Sequence, residues 1–122
     1  RLARFSQIDY DREMALVAIE RDGNGVEHAL GEVRAVVTPG CTFADFAIVI
    51  ASDIKGGGLG KLLLKNLIGY CCSHGIGELR GETLESNLRM QGLARNLGFT
   101  VTTGADRGTR DLRLVLSQRE IS

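Results

Sequence analysis

The 122-residue sequence predicts a mixed α/β domain in which a mostly antiparallel sheet is flanked by helices. Three observations predict it. Strand-like segments separated by turn residues fill the first part of the chain. A glycine-rich stretch then precedes apolar residues at helical spacing. A strand, a second helix and a final pair of strands follow, so the middle of the chain is expected to form a right-handed β-α-β crossover.

The first part of the chain is expected to contain three antiparallel strands after the end of a helix. We interpret residues 1–9 as that helix end, with Leu2, Phe5 and Ile8 on one side. The strands and the turn signals between them are placed at 14–21, Asp22-Gly23-Asn24-Gly25, 28–38, Pro39-Gly40 and 43–51. The last of these strands is apolar on both faces except at Asp45, which is typical of a central strand.

The second part of the chain alternates helices and strands. Apolar residues at helical spacing run from Leu62 to Cys71, and His74-Gly75 ends the pattern. A strand is expected at about 77–84. Ser86 is predicted to cap a second helix that ends at Gly98. Its apolar face is formed by Met90, Leu93, Ala94 and Leu97, and the final strands are placed at 99–103 and 109–116.

Composition narrows the class of protein. Hydrophobic residues make up 43% and charged residues 25%, so we expect one globular domain over residues 1–122. Fifteen basic and fifteen acidic side chains balance, which argues against a nucleic-acid partner. The sequence has no apolar run long enough to span a membrane and no signal peptide, so no membrane partner is expected. Because the chain begins with Arg1, we expect it to be part of a longer polypeptide.

The cysteines favour neither a metal site nor a disulfide framework. Cys41, Cys71 and Cys72 are odd in number and lack CxxC spacing, and His28 and His74 are the only histidines. No metal is therefore expected, and a reducing cytoplasmic location fits these free thiols.

A concentration of glycines lies between the predicted central strand and the first full helix. The segment is Lys55-Gly56-Gly57-Gly58-Leu59-Gly60-Lys61. Free N–H groups at a helix N-terminus attract anions, and glycines allow close approach, so the segment predicts a phosphate-bearing ligand. The alternative is that the glycines only form a tight turn, but four in five residues exceed what a turn needs.

The spacing excludes two common phosphate-binding motifs. A P-loop requires Ser or Thr after Gly-Lys, but Leu62 follows Gly60-Lys61. A dinucleotide-binding fingerprint that starts at Gly56 or Gly58 would require glycine at Lys61 or Leu63.

The segment instead resembles the acyl-CoA pyrophosphate loop of the GNAT superfamily, Gln/Arg-x-x-Gly-x-Gly/Ala, with Lys55, Gly58 and Gly60 at the matching positions. A second stretch, from Asn87 to Leu97-Gly98-Phe99, is similar to the helix after the fifth strand of that family. The segments 8–15 and 45–50 are similar to the acetyltransferase domain of bacterial Pat-type protein lysine acetyltransferases, which often follows an acyl-CoA-synthetase-like region.

This resemblance implies acetyl transfer from acetyl-CoA to an amine, with the ε-amine of a protein lysine as the leading acceptor and an acyl-CoA synthetase as one candidate partner. It implies Asp45 as the general base, although Glu is usual in Pat-type sequences. The residues implied to bind acetyl-CoA are Ile48, Val49, Ile50, Lys55, Gly56, Gly57, Gly58, Leu59, Gly60, Lys61 and Asn87. For Asn87, helix capping is an equally weighted alternative.

The sequence also departs from the family pattern. Many members have Tyr, as the proton donor to the leaving thiolate, where this chain has Ala94. This departure and Asp45 keep a second function open, a catalytically impaired acyl-CoA-binding module. A small-molecule amine acetyltransferase also stays open, because the sequence does not identify the acceptor groove. The alignment further implies that the first strand and helix of the family fold are absent from this chain, because residues 1–9 would belong to the second helix.

Overall fold

The computed structural model describes residues 3–51 and 58–116. Seven strands and two helices occur in this part of the chain. In chain order they are β1 (Ala3–Asp9), β2 (Glu13–Arg21), β3 (Glu27–Val37), β4 (Phe43–Ile50), α1 (Leu59–Ser73), β5 (Glu78–Leu84), α2 (Leu88–Asn96), β6 (Thr100–Thr103) and β7 (Thr109–Val115).

The strands form one sheet with the order β1-β2-β3-β4-β5-β7-β6. Every neighbouring pair is antiparallel except β4 and β5, which are parallel and are connected through α1. This arrangement confirms the predicted fold class, a mostly antiparallel mixed sheet flanked by helices.

The prediction that residues 1–9 end a helix is wrong for residues 3–9, and residues 1 and 2 lie outside the described residues. Ala3–Asp9 form β1, which pairs with β2 from Ala3↔Glu20 to Asp9↔Met14. The apolar residues Phe5 and Ile8 suit helical spacing, but backbone pairing with β2 determines the conformation here. The expectation that the chain lacks the first strand of the family fold depended on this helix. In the structure β1 forms the edge strand beside β2.

The bounds of the other helices and strands agree closely with those predicted from the sequence. Two other details differ. Asn87 caps α2, whereas Ser86 was expected to do so. Strand β4 is central, but it is not buried on both faces: Ala44 and Phe46 are buried, whereas Ala47 and Val49 are exposed. Its apolar outer face therefore meets no covering element among the described residues.

The hydrophobic core lies on one face of the sheet. Helix α1 buries the residues that the sequence placed at helical spacing, namely Leu63, Leu64, Leu67, Ile68 and Cys71. They join buried side chains from β2 to β5 and β7, including Met14, Val33, Phe46, Leu79 and Leu112. Because the core anchors both β4 and α1, it fixes the end of β4 relative to the start of the helix.

Neither helix in residues 3–51 and 58–116 has the length and apolar character needed to cross a bilayer.

Candidate active site

The two parallel strands at the centre of the sheet separate part-way along their length. Strands β4 and β5 pair only at Phe43↔Glu78, Ala44↔Leu79 and Asp45↔Arg80. Beyond that point β4 stays paired with β3, up to Gly31↔Ile50, and β5 stays paired with β7, up to Leu84↔Thr109. The result is a gap between β4 and β5 that opens after Asp45, in the middle of an otherwise continuous sheet.

A close contact lies where the gap begins. A Cβ atom added to Gly81 would lie 2.6 Å from Cε1 of Phe46, so only glycine fits beside that ring. Phe46 is buried and also contacts the ring of Phe99, with the centroids 5.5 Å apart. The ring thus occupies the core side of the point at which the strands separate.

The backbone groups that face the gap come from alternate residues of β4. The N–H of Ala51 donates to the carbonyl of Leu30 in β3 at 2.9 Å. Because successive residues of a strand point their N–H and C=O groups to opposite sides, those of Ile50 and Ile48 point away from β3 and into the gap. Val49 instead bonds toward β3, and its exposed side chain lies on the outer face.

The N-terminus of α1 provides free backbone donors after the end of β4. Gly58 caps the helix with φ 77°, and the first intrahelical bond runs from Leu62 N–H to Gly58 C=O at 3.0 Å. The N–H groups of Leu59, Gly60 and Lys61 therefore precede the helical ladder. The cap has no side-chain hydrogen bond and the first turn has no acidic residue, which leaves the positive end of the helix dipole open to an anion.

The glycines of this segment serve two separate purposes. Gly58 supplies the left-handed backbone conformation, with nothing within 4 Å of an added Cβ. At Gly60 an added Cβ would lie 3.1 Å from Cδ2 of Leu93, so glycine there allows α1 to approach α2. Lys61 is exposed. The predicted ligand residues Lys55, Gly56 and Gly57 lie outside the described residues.

Asn87 uses its side chain to cap α2. Its Oδ1 accepts a hydrogen bond from Met90 N–H at 3.0 Å. Of the two roles predicted for Asn87, capping is confirmed by this bond, and binding of a ligand stays a prediction.

Asp45 lies at the last paired position of β4, between Val36 of β3 and Arg80 of β5. Its side chain is exposed and lines a groove of about 580 Å³ on the outer face of the sheet. The groove is bordered by further charged and polar side chains, namely Arg80, Glu82, Thr102, Asp111 and Arg113. Asp45 forms no ion pair with any residue of the described segments.

One carboxylate beside the groove binds two arginines. Glu78 Oε2 accepts from Arg80 Nε at 2.5 Å and from Arg113 Nε at 2.8 Å, and Glu78 Oε1 accepts from Arg113 Nη2 at 3.1 Å. Hydrogen bonds from Arg113, then from Arg80, lower the pKa of Glu78 to about 2. No local pattern in the sequence indicates this network, because Arg113 lies 35 residues from Glu78.

Comparisons with known proteins identify the family of the chain. Residues 1–99 match the acetyltransferase (GNAT) family. The chain belongs to the GNAT acetyltransferase family. It is 29% identical to acetyltransferase PA5475 of Pseudomonas aeruginosa over 110 residues. The aligned region covers 89% of this chain and 58% of that protein. The chain thus spans little more than half the length of this curated relative.

Solved structures share the GNAT fold of the chain at low sequence identity. The GNAT domain of PAT from S. lividans matches with a TM-score of 0.73 and 20% identity, over 88% of this chain and 64% of that one. A phosphinothricin acetyltransferase from Sinorhizobium meliloti, solved in complex with acetyl-CoA, matches with a TM-score of 0.67 and 24% identity, over 85% of this chain and 61% of that one.

A buried glutamine in this GNAT chain holds the connection from β5 to α2. The Nε2 of Gln91 donates to the carbonyls of Leu84, Glu85 and Asn87 at 3.2, 2.9 and 3.2 Å. Gln91 therefore supports the start of α2 beside the gap. The sequence gives no signal of this role, because an isolated glutamine within an amphipathic helix does not indicate burial.

Cysteine chemistry is absent from the described part of the GNAT site. Burial raises the pKa of the Cys71 thiol to about 12, with a smaller contribution from Cys72. The thiol is therefore protonated at neutral pH and serves as a core side chain. Cys41, Cys71 and Cys72 are all free, and no three His, Cys, Asp or Glu residues of the described segments come together as a metal site.

A second cavity of about 290 Å³ lies at the other end of α1. Tyr70 and His74 line it and stack with their ring centroids 3.9 Å apart. His74 Nδ1 also lies 2.8 Å from the carbonyl of Tyr70. These contacts provide a partner for a carbonyl at the C-terminus of α1, at the opposite end of the helix from its free N–H groups.

Proposed function

We propose that the chain is the catalytic domain of an N-acetyltransferase that transfers an acetyl group from acetyl-CoA to an amine by direct attack in a ternary complex. The observation that carries the proposal is the gap after Asp45↔Arg80, which leads from an exposed carboxylate along the open edge of β4 to the N-terminus of α1. Membership of the GNAT family and the acetyl-CoA complex of a structural neighbour support it.

The gap suits an extended thioester arm. Ile48 and Ile50 direct backbone N–H and C=O groups into it, so the amides of a pantetheine arm can pair with β4 as an added strand. In this proposal Val49 contributes its exposed side chain to the wall of the gap. The same row of N–H groups can polarise the thioester carbonyl and stabilise the negative charge that develops on its oxygen.

The far end of the site suits a pyrophosphate. Leu59, Gly60 and Lys61 present the free N–H groups of the helix N-terminus, and no side chain of the described residues caps them. We include Lys55, Gly56 and Gly57 in this site on the sequence motif alone. The Lys61 ammonium adds positive charge, and Asn87 supports the neighbouring start of α2 through its capping bond.

Asp45 is proposed as the general base. A lysine ε-amine, with a pKa near 10.4, is almost fully protonated at neutral pH and must lose a proton before it attacks. The Asp45 carboxylate is exposed at the mouth of the gap, without an ion-pair partner among the described residues. Because aspartate is one methylene shorter than glutamate, a water molecule is expected to relay the proton.

A cationic acceptor fits the groove beside Asp45. Glu82 and Asp111 face each other across β5 and β7 and line the same groove, and the two arginines that also line it, Arg80 and Arg113, are both bound by Glu78. We propose a protein lysine as the acceptor, with an acyl-CoA synthetase as one candidate protein, and a cytoplasmic location.

One observation favours a second function, that of an acyl-CoA-binding module. Position 94, where many family members have a tyrosine proton donor, holds a fully buried Ala94. An acyl-CoA-binding module with impaired catalysis would tolerate this loss. In the enzyme, the thiolate of CoA would leave unassisted or would take its proton from water.

Release of CoA from acetyl-CoA tests the proposal, with a lysine-containing protein and a small amine as separate acceptors. We expect turnover with the protein acceptor, and a decrease in kcat of about 100-fold in Asp45→Asn. Wild-type turnover at pH 8 in this variant would exclude Asp45 as the base. Binding of acetyl-CoA without turnover on either acceptor would support the binding module, and failure to bind acetyl-CoA would refute both functions.

A further inference from the structure

The position of Arg80 raises a problem for the base proposed above. Arg80 lies directly opposite Asp45 in the parallel pairing of β4 and β5, so both side chains emerge on the same face of the sheet. An arginine that paired with Asp45 would stabilise its carboxylate and weaken it as a proton acceptor. In the structure the guanidinium of Arg80 instead contacts Glu78 and the ring of Phe43.

Two contacts hold Arg80 away from Asp45. Its Nε donates to Glu78 Oε2 at 2.5 Å, and its Cζ lies 3.7 Å from the centroid of the Phe43 ring. Phe43 precedes Asp45 by two residues on the same face of β4, and Glu78 precedes Arg80 by two residues on β5. The arginine therefore leans back toward the beginning of both strands, where the gap is closed.

Glu78 also binds the neighbouring cation. Arg113 lies directly opposite Arg80 in the β5–β7 pairing, and like charges in that relationship repel each other. Glu78 contacts both, and its side chain is only 15% exposed, so these hydrogen bonds are partly shielded from solvent. Without its carboxylate, two guanidinium groups would lie side by side, next to the carboxylate of Asp45.

We propose that Glu78 is a positioning residue which, by binding Arg80 and Arg113 together, keeps Asp45 free of an arginine partner and able to accept the proton of the acceptor amine. This inference rests on the proposed catalytic role of Asp45. It assigns no contact between Glu78 and a substrate.

Kinetics of the variants Glu78→Gln and Glu78→Gln/Arg80→Gln test the proposal. We expect Glu78→Gln to lower kcat about 10-fold with the KM for acetyl-CoA unchanged, because a released Arg80 pairs with Asp45. Removal of Arg80 in the double variant is expected to restore kcat to within about 2-fold of the wild type. A double variant that stays as slow as Glu78→Gln would refute the proposal, since a simple loss of structure is not repaired by a second substitution.

A matched control is available at the start of β3. Glu27 also binds two arginines, Arg4 at 2.6 Å and Arg21 at 3.3 Å, but it lies on β3, remote from Asp45. Glu27→Gln is expected to leave kcat unchanged. A decrease equal to that of Glu78→Gln would show a general effect of losing a surface network, and would refute the specific role of Glu78.

A spectroscopic measurement separates this proposal from the proposed function. The Nε–H resonance of Arg80 is recorded by nuclear magnetic resonance in Glu78→Gln with and without Asp45→Asn. We expect the resonance to differ between these two proteins, because Arg80 pairs with Asp45 only when the carboxylate is present. Identical resonances would refute the positioning role, even if Asp45 is the base. Different resonances with full activity in Asp45→Asn would refute the proposed base and, with it, the catalytic consequence of the positioning, but not the control of Arg80 by Glu78.

Discussion

The Phe46 ring lies so close to Gly81 that a Cβ on the glycine would come within 2.6 Å of Cε1 and 2.7 Å of Cζ. Gly81 is the first residue of β5 beyond the last pair with β4, and Phe46 is the first such residue of β4. A buried aromatic ring and a bare backbone thus meet where the two strands separate. The gap that defines the candidate site begins at this contact.

Gly81→Ala is expected to destabilise the fold by about 1–3 kcal/mol, because the added methyl group must displace a ring that is fixed in the core. Thermal or denaturant unfolding measures the change. Gly92→Ala is the matched control: it lies in α2 with nothing within 4 Å of an added Cβ, and it should gain about 0.5–1 kcal/mol. Equal stability of the Gly81→Ala variant and the wild type would show that the ring moves freely.

Gly58→Ala is expected to weaken acetyl-CoA binding as well as stability. The φ of 77° at Gly58 is strained for alanine by about 1–2 kcal/mol, so the cap that exposes the first N–H groups of α1 should distort. Calorimetric titration with CoA measures the Kd. Gly25→Ala has a comparable φ of 81° in the β2–β3 turn, and should lose similar stability with no change in Kd. A parallel change in Kd in both variants would contradict the assignment.

Glu78 is expected to contribute a pH-dependent part of the stability. Its pKa is lowered from 4.5 to about 2 by Arg113 and Arg80, so the folded state favours the ionised carboxylate. The contribution is complete above the unfolded pKa and is lost as the pH falls from about 4.5 toward 2. The difference in unfolding free energy between the wild type and Glu78→Gln should therefore shrink over that range, as urea titrations at several pH values would show. A constant difference would contradict the two-arginine network.

The sequence predicts correctly those helices and strands whose buried face is visible in the spacing of their own apolar residues. The spacing of Leu63, Leu64 and Leu67 identified α1 because an amphipathic helix carries its core face in its own sequence. The spacing of Phe5 and Ile8, three residues apart, favours a helix, and only the pairing with β2 makes this segment a strand. Close packing explains Gly31 and Gly81, but not Gly69 and Gly92, which have open space around an added Cβ.

The sequence predicts only those parts of the candidate site that form a continuous motif. The Gly58-Leu59-Gly60 segment indicated an anion site from sequence alone, and the structure places it at a helix N-terminus. The position where β4 leaves β5 could not be predicted, because it depends on the register between strands that are distant in sequence. For the same reason the bond from Arg113 to Glu78, 35 residues apart, was not anticipated.

A titration of the isotope-labelled chain with acetyl-CoA, followed through its backbone amide resonances, tests the proposed acetyl-CoA site directly. The amides of Ile48 and Ile50 in the gap, and of Leu59, Gly60 and Lys61 at the start of α1, are expected to shift together and saturate at one Kd. Shifts confined to the cavity around Tyr70 and His74, with those five amides unmoved, would contradict it.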